Sequence, residues 1–567
     1  MSCSLVSAEL GAYRAPVENA LAQMRKDGVI ARILKKDHTL WKPSPVEIAN
    51  RLGWLDSPRA MADHMAGLQA FAGDLRREGY AHALLLGMGG SSLAPEVFRK
   101  TFGVVSGCLD LAVLDSTDPG AVLAATETLD LTKTLFIVST KSGGTIETLS
   151  LFKYCYQLCL EKTGTAEAGR HFIAVTDPGS GLAAMAEKYH FRKVFLNDPA
   201  IGGRYSALTY FGLAPAALIG MDAGRLLAEA RKAAATETAH AEAPGKDALS
   251  GLFLGAVLGE LAKSGRDKAT FIFSPQIESF GAWLEQLIAE SLGKEGRGIL
   301  PVVGEPAGEA PVYGHDRVFV FMSLKGDRQD DHRFSALVRQ GHPALHVVLD
   351  DPYDLGGQCF TWEMATAVAG HLICVNPFDQ PDVEAAKVLA RQMIADAAKN
   401  GVLPAETPVA SEKGITVYGA VRAGTPGEAF AVFLNHVPPG GYIALQAFIQ
   451  PTAEADAALQ AMRLRLRDQF RTAVTTGYGP RYLHSTGQLH KGDGGKGLFI
   501  QFTADDARDM IIPDEADKPG GGLTFGALKA AQALGDGKAL VRAGRRVMRF
   551  HLGTDAVRGL RLLTESL

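Results

Sequence analysis

Long hydrophobic runs are missing from this chain. Spanning a bilayer takes roughly 20 apolar residues in succession, and no segment of the sequence supplies them. The N-terminus, MSCSLVSAELGAYRAP, lacks the basic stretch and apolar stretch that a secretory signal would show in that order. The chain therefore reads as cytoplasmic. Cysteine is scarce and scattered: Cys3, Cys108, Cys155, Cys159, Cys359 and Cys374 form neither a CxxC pair nor a dense block, which excludes a disulfide scaffold and suits a reducing compartment. A basic excess is absent too. The net charge of −4 argues against a general nucleic-acid or anionic-membrane surface, and no basic helical segment resembles a DNA-binding module. Any anion site must be local.

Apolar material is plentiful. With 47% hydrophobic and 21% charged residues over 567 positions, the chain holds enough for two or three globular domains. Residues 1–78 read as a helical brace for the first domain, with starts near Pro16 and Pro45 and anchors at Trp41 and Trp54. From 79 to 235, short apolar runs alternate with helical patterns (Ala83–Leu86, Asp110–Leu114, Thr134–Val138, Phe172–Val175, Lys193–Leu196), the pattern of a doubly wound parallel sheet. A polar stretch, Thr236–Asp247, separates this from a second α/β domain at 245–402 with runs Ala269–Phe273, Val318–Met322 and Leu345–Leu349 and helical stretches Ala282–Leu292 and Val383–Ala398. Residues 405–567 form a third unit, with strand-like Tyr442–Ile449 and Leu498–Phe502, a long helix over Ala453–Thr475 and a closing helix-turn-strand. An internal echo links the last two units: ALVRQG at Ala336–Gly341 and ALVRAG at Ala539–Gly544 each precede an apolar run, so the C-terminal third is read as a degenerate copy.

Two loops carry the chemistry. Gly87-Met-Gly-Gly-Ser-Ser92 and Ser139-Thr-Lys-Ser-Gly-Gly-Thr145 each follow an apolar run and open a helical segment. Bare N–H groups at a helix start suit a phosphate, and Ser91, Thr140, Lys141, Ser142 and Thr145 add hydroxyls and a charge around Gly89 and Gly90. A dinucleotide fingerprint would share Gly87-x-Gly89 and use Asp115, but Ser92 stands where its third glycine belongs. Ordinary helix capping accounts for one such loop more easily than for two. Downstream, Gly202-Gly-Arg204 places a forked, permanent cation where it can face an anion. Among carboxylates, Glu278, Glu285 and Glu290 stay open on composition alone.

These stretches resemble a known family. GMGGSS, STKSGGTIET, NDPAIGGRYSALTYFG, Ala289-Glu-Ser-Leu-Gly-Lys294 and Asn376-Pro-Phe-Asp-Gln-Pro-Asp-Val-Glu-Ala-Ala-Lys387 are similar, in order, to the signature motifs of glucose-6-phosphate isomerase. The chain as a whole looks most like the isomerase half of transaldolase/glucose-6-phosphate isomerase fusions. The resemblance implies an α/β fold of tandem doubly wound parallel-sheet sugar isomerase (SIS) domains, with a C-terminal SIS-like α/β third domain. It implies interconversion of glucose 6-phosphate and fructose 6-phosphate through an enediolate, with no metal or redox cofactor, and a hexose 6-phosphate as partner rather than nucleic acid or membrane. Residue by residue it implies Glu290 as the base, Arg204 against the enediolate, Gln380 and Lys387 beside the sugar, and Ser91, Thr140, Lys141, Ser142 and Thr145 at the phosphate.

One departure stands out. The family uses a ring-opening histidine, yet neither His315, His332 nor His342 sits in a matching segment. The matching segment is Leu483-His-Ser-Thr-Gly-Gln488, in the third unit, with His490 as a near competitor to His484. In ordinary members this histidine arrives from the neighbouring subunit, so a copied domain supplying His484 in cis predicts a functional monomer; otherwise the expectation is a homodimer. Two alternatives remain: a relaxed phosphoglucose/phosphomannose isomerase, and a non-catalytic sugar-phosphate sensor, which would not need Glu290, Arg204 and Lys387 together.

Overall fold

The structure, a computed structural model, describes residues 3–242, 249–384, 388–389, 391–393 and 406–567. Lys387, residues 394–405 and hence most of the expected helical stretch Val383–Ala398 lie outside the described residues, as do Pro244 and Gly245. Among the described residues no helix is long and apolar enough to cross a membrane.

The strands are β1 (Cys3–Glu9), β2 (His82–Gly87), β3 (Asp110–Leu114), β4 (Thr134–Ser139), β5 (Phe172–Thr176) and β6 (Lys193–Leu196); then β7 (Lys268–Phe273), β8 (Leu300–Val302), β9 (Arg317–Leu324) and β10 (Ala344–Leu349). The third unit holds β11 (Ala410–Glu412), β12 (Ile415–Tyr418), β13 (Tyr442–Phe448), β14 (Ala473–Tyr478), β15 (Gly497–Thr503), β16 (Ile511–Ile512), β17 (Leu523–Thr524) and β18 (Arg546–His551). The first sheet runs β3-β2-β4-β5-β6, all parallel. Its central strands β2 and β4 are apolar on both faces, as burial between helical layers demands. The second sheet runs β1-β10-β9-β7-β8 and the third β11-β12-β18-β15-β13-β14. In both, the parallel strands follow one order: the first parallel strand lies between the second and third, and the fourth lies beyond the third, next to an antiparallel strand, β1 at the edge of the second sheet and β12, with β11 outside it, in the third. The two echo segments occupy equivalent places, where the helices Asp331–Arg339 and Phe525–Arg542 lead into β10 and β18.

Three expectations change. Residues 1–78 are not wholly helical: β1 pairs antiparallel with β10 and so completes the second sheet rather than bracing the first domain. The region after Pro45 forms turns, with Ile48 and Ala49 donating to the Pro45 carbonyl. Trp41 also serves the second unit, donating to the Ala367 carbonyl at 2.8 Å and packing edge-on against Phe378, whereas Trp54 stacks between Tyr205 and Phe360. In the third unit the helix that begins at Ala453 stops at Phe470, because Arg471 turns left-handed at φ 50°, and Ala473–Tyr478 becomes β14. The closing strand is followed by a further helix, Ala556–Glu565.

One large core joins the N-terminal helices, one face of the first sheet and the second unit. The third unit has its own core. It also reaches the other two: Ile512, Ala516, Phe525 and Leu528 pack on the first unit's outer face, and Tyr442, Phe499 and Leu540 meet Ala289, Leu300 and Val302 of the second.

Candidate functional site

The site lies where three units meet at the C-terminal ends of β2 and β4, the edge at which doubly wound sheets hold ligands. After β2 the chain makes a tight turn at Gly89–Ser91, and both glycines are required by close approach. Gly89 has φ +54°, and a Cβ there would stand 2.7 Å from the His484 carbonyl oxygen; a Cβ on Gly90 would stand 2.1 Å from that of Gly203. One loop thus presses its bare backbone against the arginine segment on one side and the histidine segment on the other.

After β4, Thr145 is the N-cap of the helix Ile146–Thr163, but its hydroxyl meets Thr140 Oγ1 at 2.9 Å and does not cap the helix. The first turn of this helix is thus without a side-chain cap from Thr145. Ser142 Oγ accepts from the Gly144 amide, and Ser139 Oγ donates to the Ser91 carbonyl at 3.0 Å, tying the two loops together. Lys141 differs from expectation: its ammonium pairs with Asp177 and donates to the Pro199 carbonyl at 2.9 Å, so its charge is already engaged. The dinucleotide alternative loses its acid as well. Asp115 accepts from Ser92 and pairs with Arg481 of the third unit at 2.9 Å.

Arg204 is 2% exposed and every face of its guanidinium is used. It pairs with Glu290 at 3.0 Å and donates to Ser291 Oγ (2.7 Å), Gln380 Oε1 (3.0 Å) and the carbonyls of Pro377 and Asp379 (2.8 and 2.9 Å). Glu290 also accepts from Gln286, one helical turn earlier, at 2.9 Å, and the same amide donates to the His484 carbonyl at 2.8 Å. The spacing i, i+4 makes these neighbours on one helix face. Of the other carboxylates, Glu278 is exposed, and Glu285 accepts from Ser485 at 3.2 Å, with desolvation raising it to about 7. Only Glu290 of these three touches Arg204.

His484 enters from the third unit in the same chain. Its Nε2 lies 2.9 Å from Glu147 Oε1, on the first turn of the helix behind the second loop. The other histidines sit elsewhere: His490 is a core residue against Tyr442, Tyr482 and Phe499, driven below its usual range by burial. His342 packs with Tyr313 and Phe319, while His315 and His332 are exposed.

Sequence reasoning did not single out Glu147, Gln286, Lys294 or Arg481. Glu147 and Lys294 lay within quoted motifs, and Gln286 stood one turn from Glu290; Arg481 gave no signal. Lys294 is buried against Asp379 at 2.9 Å, and desolvation, with Arg204 nearby, lowers it to about 8.

A family model described as "Phosphoglucose isomerase" matches residues 71–299. A glucose-6-phosphate isomerase of Thermus thermophilus is 30% identical over 400 residues, covering 62% of this chain and 91% of that one. The chain belongs to the glucose-6-phosphate isomerase family. A second relative of the same name, from Rubrobacter xylanophilus, is 27% identical over 420 residues, covering 65% and 94%. Among solved structures, a hypothetical protein from Thermus thermophilus superposes with TM-score 0.59 at 25% identity, covering 69% of this chain and 99% of that one. The glucose-6-phosphate isomerase of Chlamydia trachomatis gives TM-score 0.57 at 20% identity, covering 68% and 86%, which extends the family's sugar isomerase fold to this chain.

Proposed function

We infer that this chain interconverts glucose 6-phosphate and fructose 6-phosphate, with Glu290 as the base. The observation that carries this reading is the Glu290–Arg204 pair at 3.0 Å, joined through Gln286 to the His484 segment. Moving a proton between two neighbouring carbons requires a carboxylate beside them and a cation against the oxygen that gains charge. Arg204 is held by five partners, so its charge is fixed beside Glu290, where it stabilises a developing enediolate electrostatically. The phosphate occupies the loops around Ser91 and Thr140–Thr145, and that remote grip orients the reacting carbons. His484, fixed through Nε2 by Glu147, uses its other nitrogen to exchange a proton with the sugar ring, and Lys387, outside the described residues, is the lysine that the family resemblance assigns to assisting ring opening. The proton leaving C2 of the aldose returns at C1, so the reaction balances without a co-reactant.

His484 working in cis makes one chain a complete catalyst, and the shared strand order and paired echoes of the second and third units support a duplication in which one copy keeps the glutamate and the other the histidine. A coupled assay of fructose 6-phosphate conversion tests the roles. Glu290→Gln should lose about 10² to 10⁴ in turnover, the usual range for a general base; near-normal turnover would sink the mechanism. His484→Ala should slow conversion of ring-closed substrate far more than of the open-chain form.

A further inference from the structure

The helix Phe525–Arg542 of the third unit is packed between domains, where an apolar face is the ordinary solution. It carries instead a buried polar stripe at i, i+3 and i+7: Lys529, Gln532 and Asp536. Lys529 pairs with Asp118 of the first unit at 2.7 Å, and Asp536 accepts from Tyr482 at 2.6 Å, in the same short turn as His484. Gln532 lies between them. Its Nε2 donates to Glu147 Oε1 at 2.7 Å, the oxygen that also meets His484 Nε2, and its Oε1 accepts from Thr117 Oγ1 at 2.7 Å. Thr117, Gln532 and Glu147 are all buried.

We propose that Gln532 is a positioning residue for ring opening: it holds the Glu147 carboxylate in the place from which that carboxylate orients the His484 imidazole. The Glu147 carboxylate settles which end of the amide faces it, because a carboxylate only accepts and so takes the NH2, leaving the amide oxygen to accept from the Thr117 hydroxyl. The Glu147 carboxylate, held by Gln532, accepts from His484 Nε2 at 2.9 Å and so fixes the plane of the imidazole. The other imidazole nitrogen then faces the sugar in one tautomer. The third unit thus contributes the histidine and, from a separate helix, the group that steadies the histidine's partner. A fully paired polar network inside an interface fixes geometry where apolar packing would tolerate a shift.

This inference rests on the proposed role of His484, and the experiment separates the two. Gln532→Met keeps the volume and removes the donor. In the full-length chain its kcat on fructose 6-phosphate should fall about tenfold, as expected for losing a hydrogen bond to a charged group, with KM within about twofold. In a His484→Ala background the same substitution should cost nothing further, since the two act as one unit. Thr117→Val should reproduce the pattern more weakly, and it carries the test if Gln532→Met does not fold. If His484→Ala is itself fully active, the ring-opening role and this proposal both fall. If His484→Ala is impaired but Gln532→Met multiplies the loss in that background, or has wild-type kcat alone, only the positioning role of Gln532 is overturned.

Discussion

At the scale of single residues, the site is built from groups that are all already engaged, and this makes pH informative. Lys294 loses its proton near pH 8 in the folded chain, against 10.5 for a free lysine. Between those values the unfolded chain binds more protons, so this group's contribution to stability rises with pH, having been unfavourable below 8. The ion pair with Asp379, whose carbonyl holds Arg204, weakens over the same range. A pH–rate profile should therefore show an alkaline limb near pH 8 without matching loss of unfolding resistance, and Lys294→Met should remove that limb. Gly90→Ala is expected to lower turnover by more than about tenfold, because a Cβ 2.1 Å from the Gly203 carbonyl must displace the arginine segment; steady-state kinetics with a melting control checks it. Legibility at this scale followed local spacing. Glu290, Arg204 and the loop hydroxyls were legible because the groups that define them lie within a few positions in sequence. Gln532 was not, because its meaning depends on Thr117 and Glu147, several hundred positions away.

At the scale of elements, period-two and period-3.6 patterns recovered nearly every central strand, since a strand buried on both faces is a continuous apolar run. The misread elements were those at edges. Cys3–Glu9 lies at the border of a sheet whose other strands come hundreds of residues later, and nothing local announces the pairing. The helix after Ala453 ends at a left-handed arginine, so no glycine marked its stop. The short turn Arg481–His484 matters more than its length suggests: Arg481 pairs with Glu96 and Asp115 of the first unit and anchors the turn three residues before the histidine. Replacing it with leucine leaves buried Asp115 without its cation and Glu96 with Lys100 alone. The expected cost is about 3–5 kcal/mol, measured by denaturant unfolding, together with a fall in activity that parallels His484→Ala.

At the scale of the whole molecule, three units of related strand order converge on one site, and the third sends His484 into it beside Glu147. Specific activity should therefore stay constant on dilution, with sedimentation showing an active monomer; activity that vanishes as a dimer dissociates would refute action in cis. The docking of the third unit on the first has a consequence for how such an enzyme can change. In a dimer with two-fold symmetry each contact is made twice by the same surface, so every substitution strikes both halves of the interface at once. The pairs Arg481 with Glu96 and Lys529 with Asp118 join two different stretches of one chain. Either partner can be altered singly, and a compensating change can follow on the opposite face without having to fit itself.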